Sequence, residues 1–198
     1  QCEEFLTSHI QKYKSFGVSN GGLLLLDWQT MEVVANVGSA NFYSDEIQGQ
    51  VNITTSKRSP GSTLKPFIYA LALEQGLIHY SSMLKDTPQA FNEYAPDNYG
   101  STFKGPVKAW YALADSRNIP AVSLAQQISN PDLYDFLKQA KISDLKNKEH
   151  YGLSIVLGSA EISMLVAAPF ILYILDVDDD FNPYAVLSSA LICAQFVK

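Results

Sequence analysis

Two cysteines and three histidines are the thiol and imidazole ligands of this 198-residue chain; the cysteines lie far from each other, and so do the histidines. Cys2 and Cys193 stand near opposite ends, match no zinc spacing, and are as compatible with free thiols as with a pair. His9, His79 and His150 occur in no His-Glu-x-x-His setting, so neither a helical zinc site nor a Ser-His-Asp triad has support. Basic charge is scarce as well. Fourteen Lys and Arg face 20 Asp and Glu, for a net charge of −6, which argues against nucleic acid and against a polybasic membrane patch. No apolar run reaches the ~18 residues of a membrane span. Pro169 interrupts the most apolar stretch, Ile162 to Leu175, so a pair of buried helices is expected there. The acidic run Asp176 to Asp180 has Phe181 and Leu187 where a calcium loop needs Gly and Glu, and reads as a solvated loop. Repeats and low-complexity tracts are absent. At 47% hydrophobic and 17% charged, the composition is that of an ordinary globular segment of about one domain. With Gln1 at its start and no signal peptide, the chain is expected to be excised from something longer.

What the sequence does contain is Arg58-Ser59-Pro60-Gly61-Ser62-Thr63-Leu64-Lys65-Pro66-Phe67, a serine three residues before a lysine at the mouth of a helix. Positions i and i+3 share a helix face, so the Lys65 amine can reach the Ser62 hydroxyl and take its proton, which is how a lysine activates a serine nucleophile. Pro60-Gly61 supplies the turn, and Pro66 deprives the Ser62 carbonyl of its usual helical donor, so a distorted first turn is expected. Roughly one Ser-x-x-Lys is expected by chance in this composition. Ser82/Lys85, Ser101/Lys104 and Ser143/Lys146 also match, but they sit in or beside polar stretches. Only Ser62 opens an apolar helix.

Apolar periodicity places an amphipathic helix over residues 3 to 16, ended by Gly17. Leu23 to Asp27 and Glu32 to Val37 read as a hairpin, and Asn41 to Thr55 as a loop leading to Ser62. The helix after the turn is expected over Ser62 to Gln75, with Leu64, Phe67, Ile68, Leu71 and Ala72 buried and Gly76 closing it. Asp86 to Gly105 reads as a long loop of the kind that frames a site. Pro106, Pro120 and Pro131 each suit a first helical position, which leaves Asp115 to Ile119 as a loop between two helices.

The run from Arg58 to His79 resembles the active-site segment of the penicillin-binding protein transpeptidase domain, particularly in class A members of the 1C type. That family is marked by Ser-x-x-Lys, Ser-x-Asn and Lys-Thr-Gly. Ala112 to Val122 is similar to the setting of the second motif, with Ser116-Arg117-Asn118 as Ser-x-Asn; Ser39-Ala40-Asn41 also fits the pattern but reads as a strand-end turn. Gly22 to Gly38 resembles the domain's first hairpin and Gly152 to Leu165 the segment after its second motif, so the likeness covers about residues 22 to 165. The whole chain, 1 to 198, is expected to be part of one such domain. No Lys-Thr-Gly or Lys-Ser-Gly occurs, and the chain stops 80 residues after Asn118.

The resemblance implies an α+β fold of the penicillin-binding transpeptidase and serine β-lactamase kind: the helical half and the N-terminal β-hairpin, lacking the C-terminal strands. It implies a serine D,D-transpeptidase that cross-links peptidoglycan stem peptides, is acylated by β-lactams, and works in the periplasm or on the outer face of the cytoplasmic membrane. Membrane anchoring would come only through missing parts of the parent protein. Ser62 would be the nucleophile, Lys65 its base, Ser116 a proton relay and Asn118 a substrate-binding amide, with no metal or cofactor. Without a third motif the 198 residues alone are expected to be inactive. A catalytically incomplete remnant or interaction module of the same fold is the alternative, and a β-lactamase-like hydrolase would need a deacylating base that nothing in the sequence identifies. Arg58 and Arg117, the chain's two arginines, flank the two motifs, and their charge would lower the Lys65 pKa if they converge on it.

Overall fold

The computed structural model describes residues 1–175 apart from Trp28, Glu93 and Ser143, so the acidic run after 175 and Cys193 lie outside the described residues. Two compact units emerge, residues 59–161 forming one and the flanking segments the other.

In the flanking unit, Phe5, Leu6, Ile10 and Tyr13 recur at helical spacing, and the chain forms α1 (Cys2–Tyr13). Leu6 and Ile10 are its buried residues and pack with Val18, Tyr13, Val37 and Ala40. A 3-10 turn (Lys14–Phe16) follows, and Gly17, at φ 86°, takes the left-handed conformation that ends it. β1 (Leu23–Leu26) pairs antiparallel with β2 (Val33–Val37), the hairpin expected from the sequence, with an irregularity between Leu25 and Leu26. The connecting turn is tied by Asp27, whose carboxylate accepts the Gln29 and Thr30 amides at 2.8 and 3.0 Å. Those amides hold its pKa below the ordinary carboxylate value. Leu24 and Leu26 turn inward onto Met164, Leu165 and Ala168 of α7 (Met164–Leu175). Instead of the expected pair of helices, Ile162 to Leu175 yields one, with Pro169 inside it.

The central unit is built on α2 (Lys65–Glu74), preceded by a 3-10 turn over Gly61–Leu64. The expected α-helical start at Ser62 is therefore corrected. Pro66 has no N–H for the Ser62 carbonyl, so the Lys65 amide donates to it instead, three residues on, and the first turn tightens. All five residues expected to be buried along this helix are buried, and so are Lys65 and Tyr69. Gly76 follows α2 at φ 68°, with Gly76 N–H bonded to Leu73 O and Leu77 N–H to Ala72 O, a Schellman closure.

Next comes a hairpin that the sequence did not announce, β3 (Met83–Asp86) paired with β4 (Gly105–Lys108). Pro106 belongs to β4, opposite Lys85, rather than to a helix start. α3 (Ala109–Ala114) and α4 (Asn118–Gln127) follow, and α4 begins two residues before Pro120. α5 (Leu133–Gln139) starts after Asp132, whose side chain accepts the Asp135 amide at 3.0 Å; Pro131 precedes that cap, in a cis peptide with Asn130. α6 (Lys148–Tyr151) and a 3-10 stretch to Leu157 close the unit.

Gly158 sits against the turn that delivers Ser62. Its φ is 94°, and a β-carbon there would run into the Gly61 backbone and the Ser59 hydroxyl, which itself donates to Gly158 O at 2.7 Å. Gly158→Ala is therefore expected to lower stability by more than about 1 kcal/mol, measured by chemical denaturation. An unchanged denaturation midpoint would refute this reading of the contact.

Candidate active site

Ser62 lies on the exposed side of the 3-10 turn, and among the described residues its hydroxyl makes no hydrogen bond. One step on, Lys65 is turned inward and is 1% exposed. Its amine spans more than 50 residues of chain to reach the loop between α3 and α4, donating to Ser116 O at 2.5 Å and to Asn118 Oδ1 at 2.6 Å, with Ser116 Oγ at 3.1 Å. Nothing in local sequence requires this convergence. A carbonyl and an amide oxygen can only accept, so two N–H groups satisfy the two short contacts; in the neutral amine the lone pair is left for the Ser116 hydroxyl proton. Three of the four residues expected to form the site are thus bonded together. The fourth, Ser62, lies three residues before Lys65, faces solvent, and among the described residues shows no hydrogen bond to the Lys65 amine that is expected to deprotonate it.

The loop that presents Ser116 and Asn118 has an unusual backbone. Ser116 N–H bonds to Leu113 O and Arg117 N–H to Ala112 O, both at 2.9 Å. This is the closure that ends α2 at Gly76, with serine in the left-handed position at φ 51°. Glycine is the unstrained residue there. Serine accepts the strain and places both its carbonyl and its hydroxyl on the Lys65 amine.

A buried polar cluster supports the loop. Arg117 Nε donates to Asp86 Oδ2 at 2.8 Å and its Nη2 to Thr102 O, while Asp115 Oδ2 lies 3.5 Å from Nη1. Asp86, fully buried at the end of β3, also accepts the Lys104 amide at 3.0 Å and the Asn98 side-chain amide at 2.7 Å. Asn98 Nδ2 bonds to Thr102 O at 3.0 Å, and its Oδ1 accepts the Asn118 amide at 2.8 Å, so Asn98 caps α4 from outside that helix. The Asn118 side chain donates in turn to Asp97 O at 2.5 Å. Asp86 and Asn98 were missed at the sequence level. The only sign of them was that the Asp86 to Gly105 loop is long and polar enough to frame a site.

Burial, and after it the Arg117 charge, lowers the Lys65 amine from 10.5 to about 8. Of the two arginines, then, Arg117 acts on Lys65, while Arg58 belongs to the other unit, where its backbone pairs with Ile162. The hydroxyl of Tyr69, on the same helix as Lys65, is buried with no hydrogen-bond partner among the described residues, and burial and the Asp86 charge push its pKa up. Among the described residues no cluster of His, Cys, Asp or Glu could hold a metal ion, and no helix is long and apolar enough to cross a membrane.

Residues 21–157 match the family model for the penicillin binding protein transpeptidase domain. The chain is 38% identical over 143 residues to penicillin-binding protein 1C of Escherichia coli (strain K12), an alignment that covers 72% of this chain and 19% of that protein. Penicillin-binding protein 1F of Bacillus subtilis (strain 168) is 31% identical over 144 residues, again 72% of this chain and 19% of the relative. Among solved structures, penicillin-binding protein 1A from Haemophilus influenzae superposes with a TM-score of 0.64 at 28% identity, over 77% of this chain and 23% of that one. The PonA1 protein of Mycobacterium tuberculosis, solved in complex with penicillin V, superposes with a TM-score of 0.63 at 18% identity, over 83% of this chain and 48% of that one; it supports the fold alone. The helices and small β-hairpins described above are consistent with the α+β fold of these structures. The chain spans about a fifth of the length of the curated relatives it matches.

The strain at Ser116 is open to test. Ser116→Gly is expected to change stability by less than about 1 kcal/mol, because relief of the left-handed backbone offsets the lost hydroxyl bond. Ser116→Val, β-branched at φ 51°, is expected to cost clearly more. Equal losses in chemical denaturation would show that the loop backbone is not strained.

Proposed function

The chain belongs to the penicillin-binding protein transpeptidase family, and from that premise we propose that it carries the acylating centre of a serine D,D-transpeptidase, as part of one such domain. The observation that supports this most is the Lys65 amine bonded to Ser116 and Asn118, the second-motif residues, across more than 50 residues of chain. Ser62 Oγ attacks the carbonyl between two terminal D-alanines of a peptidoglycan stem peptide. Lys65, neutral in a useful fraction near its pKa of about 8, takes the Ser62 proton. The ester bond forms as the C–N bond breaks, and the proton passes through the Ser116 hydroxyl to the departing D-alanine amine. An amine of a neighbouring peptide then attacks the ester, an amide forms, and the Ser62 hydroxyl regains its proton. Asn118 holds a peptide group of the substrate. The Ser62 amide supplies one donor to the oxyanion; a second must come from elsewhere. A β-lactam follows the first half of this course and stops at the ester. The reaction places the domain in the periplasm or on the outer face of the cytoplasmic membrane, where stem peptides are found.

Labelled penicillin, added to the full gene product that carries this sequence and followed by peptide mapping, tests the reading. Label is expected on Ser62, lost in Ser62→Ala, with an acylation rate that rises with pH about a midpoint near 8, since only the unprotonated Lys65 is a base. Label on Ser82 or Ser101, or labelling retained in Ser62→Ala, would exclude the assignment.

A further inference from the structure

Arg117 is the last residue of the loop between α3 and α4, whose other two residues, Asp115 and Ser116, are exposed, and an arginine there would ordinarily extend into water. Instead it is 6% exposed, between the two residues that hold the Lys65 amine. Asp86, the Thr102 carbonyl and Asp115 hold the guanidinium in place. Asp86 has no freedom of its own, because both its oxygens are engaged by Arg117, Asn98 and Lys104. A buried ion pair of this kind is often no more stabilising than apolar side chains of the same volume. The placement makes electrostatic sense if the neighbouring amine has to be kept unprotonated, since a fixed cation nearby disfavours a second one.

We propose that Arg117, clamped by Asp86, is a positioning residue whose fixed positive charge adds to the effect of burial and enlarges the neutral, basic fraction of Lys65, an inference that rests on the reading of Lys65 as the general base. Titratable and charged groups stand near this site on four elements of the central unit. Tyr69 lies on the Lys65 helix, and Asp86 at the end of β3. The loop after β3 brings Asp97 and Lys104, the latter bonded to the Tyr111 hydroxyl at 2.7 Å and 3.5 Å from Asp115. The loop between α3 and α4 brings Asp115 and Arg117. Among these charges Arg117 is the one that acts on the amine, and it acts toward deprotonation. Asp86 and Asp115 are occupied by Arg117 and Lys104.

The test reads the amine and needs no acylation of Ser62. Trace labelling of the full gene product with acetic anhydride across a pH series, quantified on the Lys65 peptide by mass spectrometry, gives the pH at which that amine becomes reactive. The midpoint is expected near 8 in the unaltered protein. In Asp86→Asn combined with Arg117→Gln, which removes both charges and keeps a polar side chain at each position, it is expected to move up by about one pH unit. Arg117→Lys keeps the charge and the ion pair, and is expected to leave the midpoint in place. A midpoint that stays or falls in the double variant overturns the proposal. So does one that rises by about one pH unit in Arg117→Lys, and this second arm stands by itself if the double variant does not fold. Failure of penicillin to label Ser62 would count against the function proposed above and leave this measurement intact, so the two can fail separately.

Discussion

Asp86 is a carboxylate with no access to water, and the arrangement of the central unit follows from what it takes to keep it there. A buried carboxylate needs its lone pairs met by donors, and here the donors come from three places along the chain: the Asn98 side chain, the Lys104 amide and the Arg117 guanidinium. Meeting them ties the end of β3 to the long loop and the long loop to the start of α4. Removing one partner from such a pair typically costs about 3–5 kcal/mol, enough to endanger a domain with a net stability of roughly 5–15 kcal/mol. The cluster contains none of the expected catalytic groups. Its effect is to hold Ser116 and Asn118 where the Lys65 amine can reach them.

Two departures from regular backbone serve the same end. At Pro66 the missing amide turns the start of α2 into a 3-10 turn, which leaves Ser62 exposed while Lys65 points into the core. At Ser116 a helix closure that accepts glycine without strain, as α2 shows at Gly76, carries serine instead. Each departure places a side chain that a regular helix would direct elsewhere. Both are steadied by packing: Gly158 against the Ser62 turn, and the Asn98 cap under Asn118.

The groups proposed to carry the chemistry left the clearest pattern in the sequence, because Ser62 and Lys65 are three residues apart and Ser116 and Asn118 two. Short spacings leave a pattern. α1, the β1–β2 hairpin and the buried face of α2 were legible for the same reason, since their periodicity is local. The β3–β4 hairpin was not. Its strands are four residues each, have a single β-branched residue between them and include Pro106, which is tolerated in a short two-stranded ladder but argues against a strand on sequence grounds. Helix starts were misjudged at Pro120 and Pro131 because a proline suits several positions near a helix end, and tertiary contacts decided among them. Asp86 and Asn98 could not be singled out within the long Asp86 to Gly105 loop, since each serves a residue 20 or more positions away.

Asn118 is the first residue of α4, so its amide has no partner within the helix, and among the described residues it is held by Asn98. Hydrogen exchange at that one amide, in the full gene product and in Asn98→Ala, tests the central claim that the buried cluster holds the second-motif loop in place. The account predicts slow exchange, comparable to the interior of α4, that becomes fast in the variant while the α4 interior stays protected. Fast exchange at Asn118 in the unaltered protein, or protection unchanged by the loss of Asn98, would contradict it.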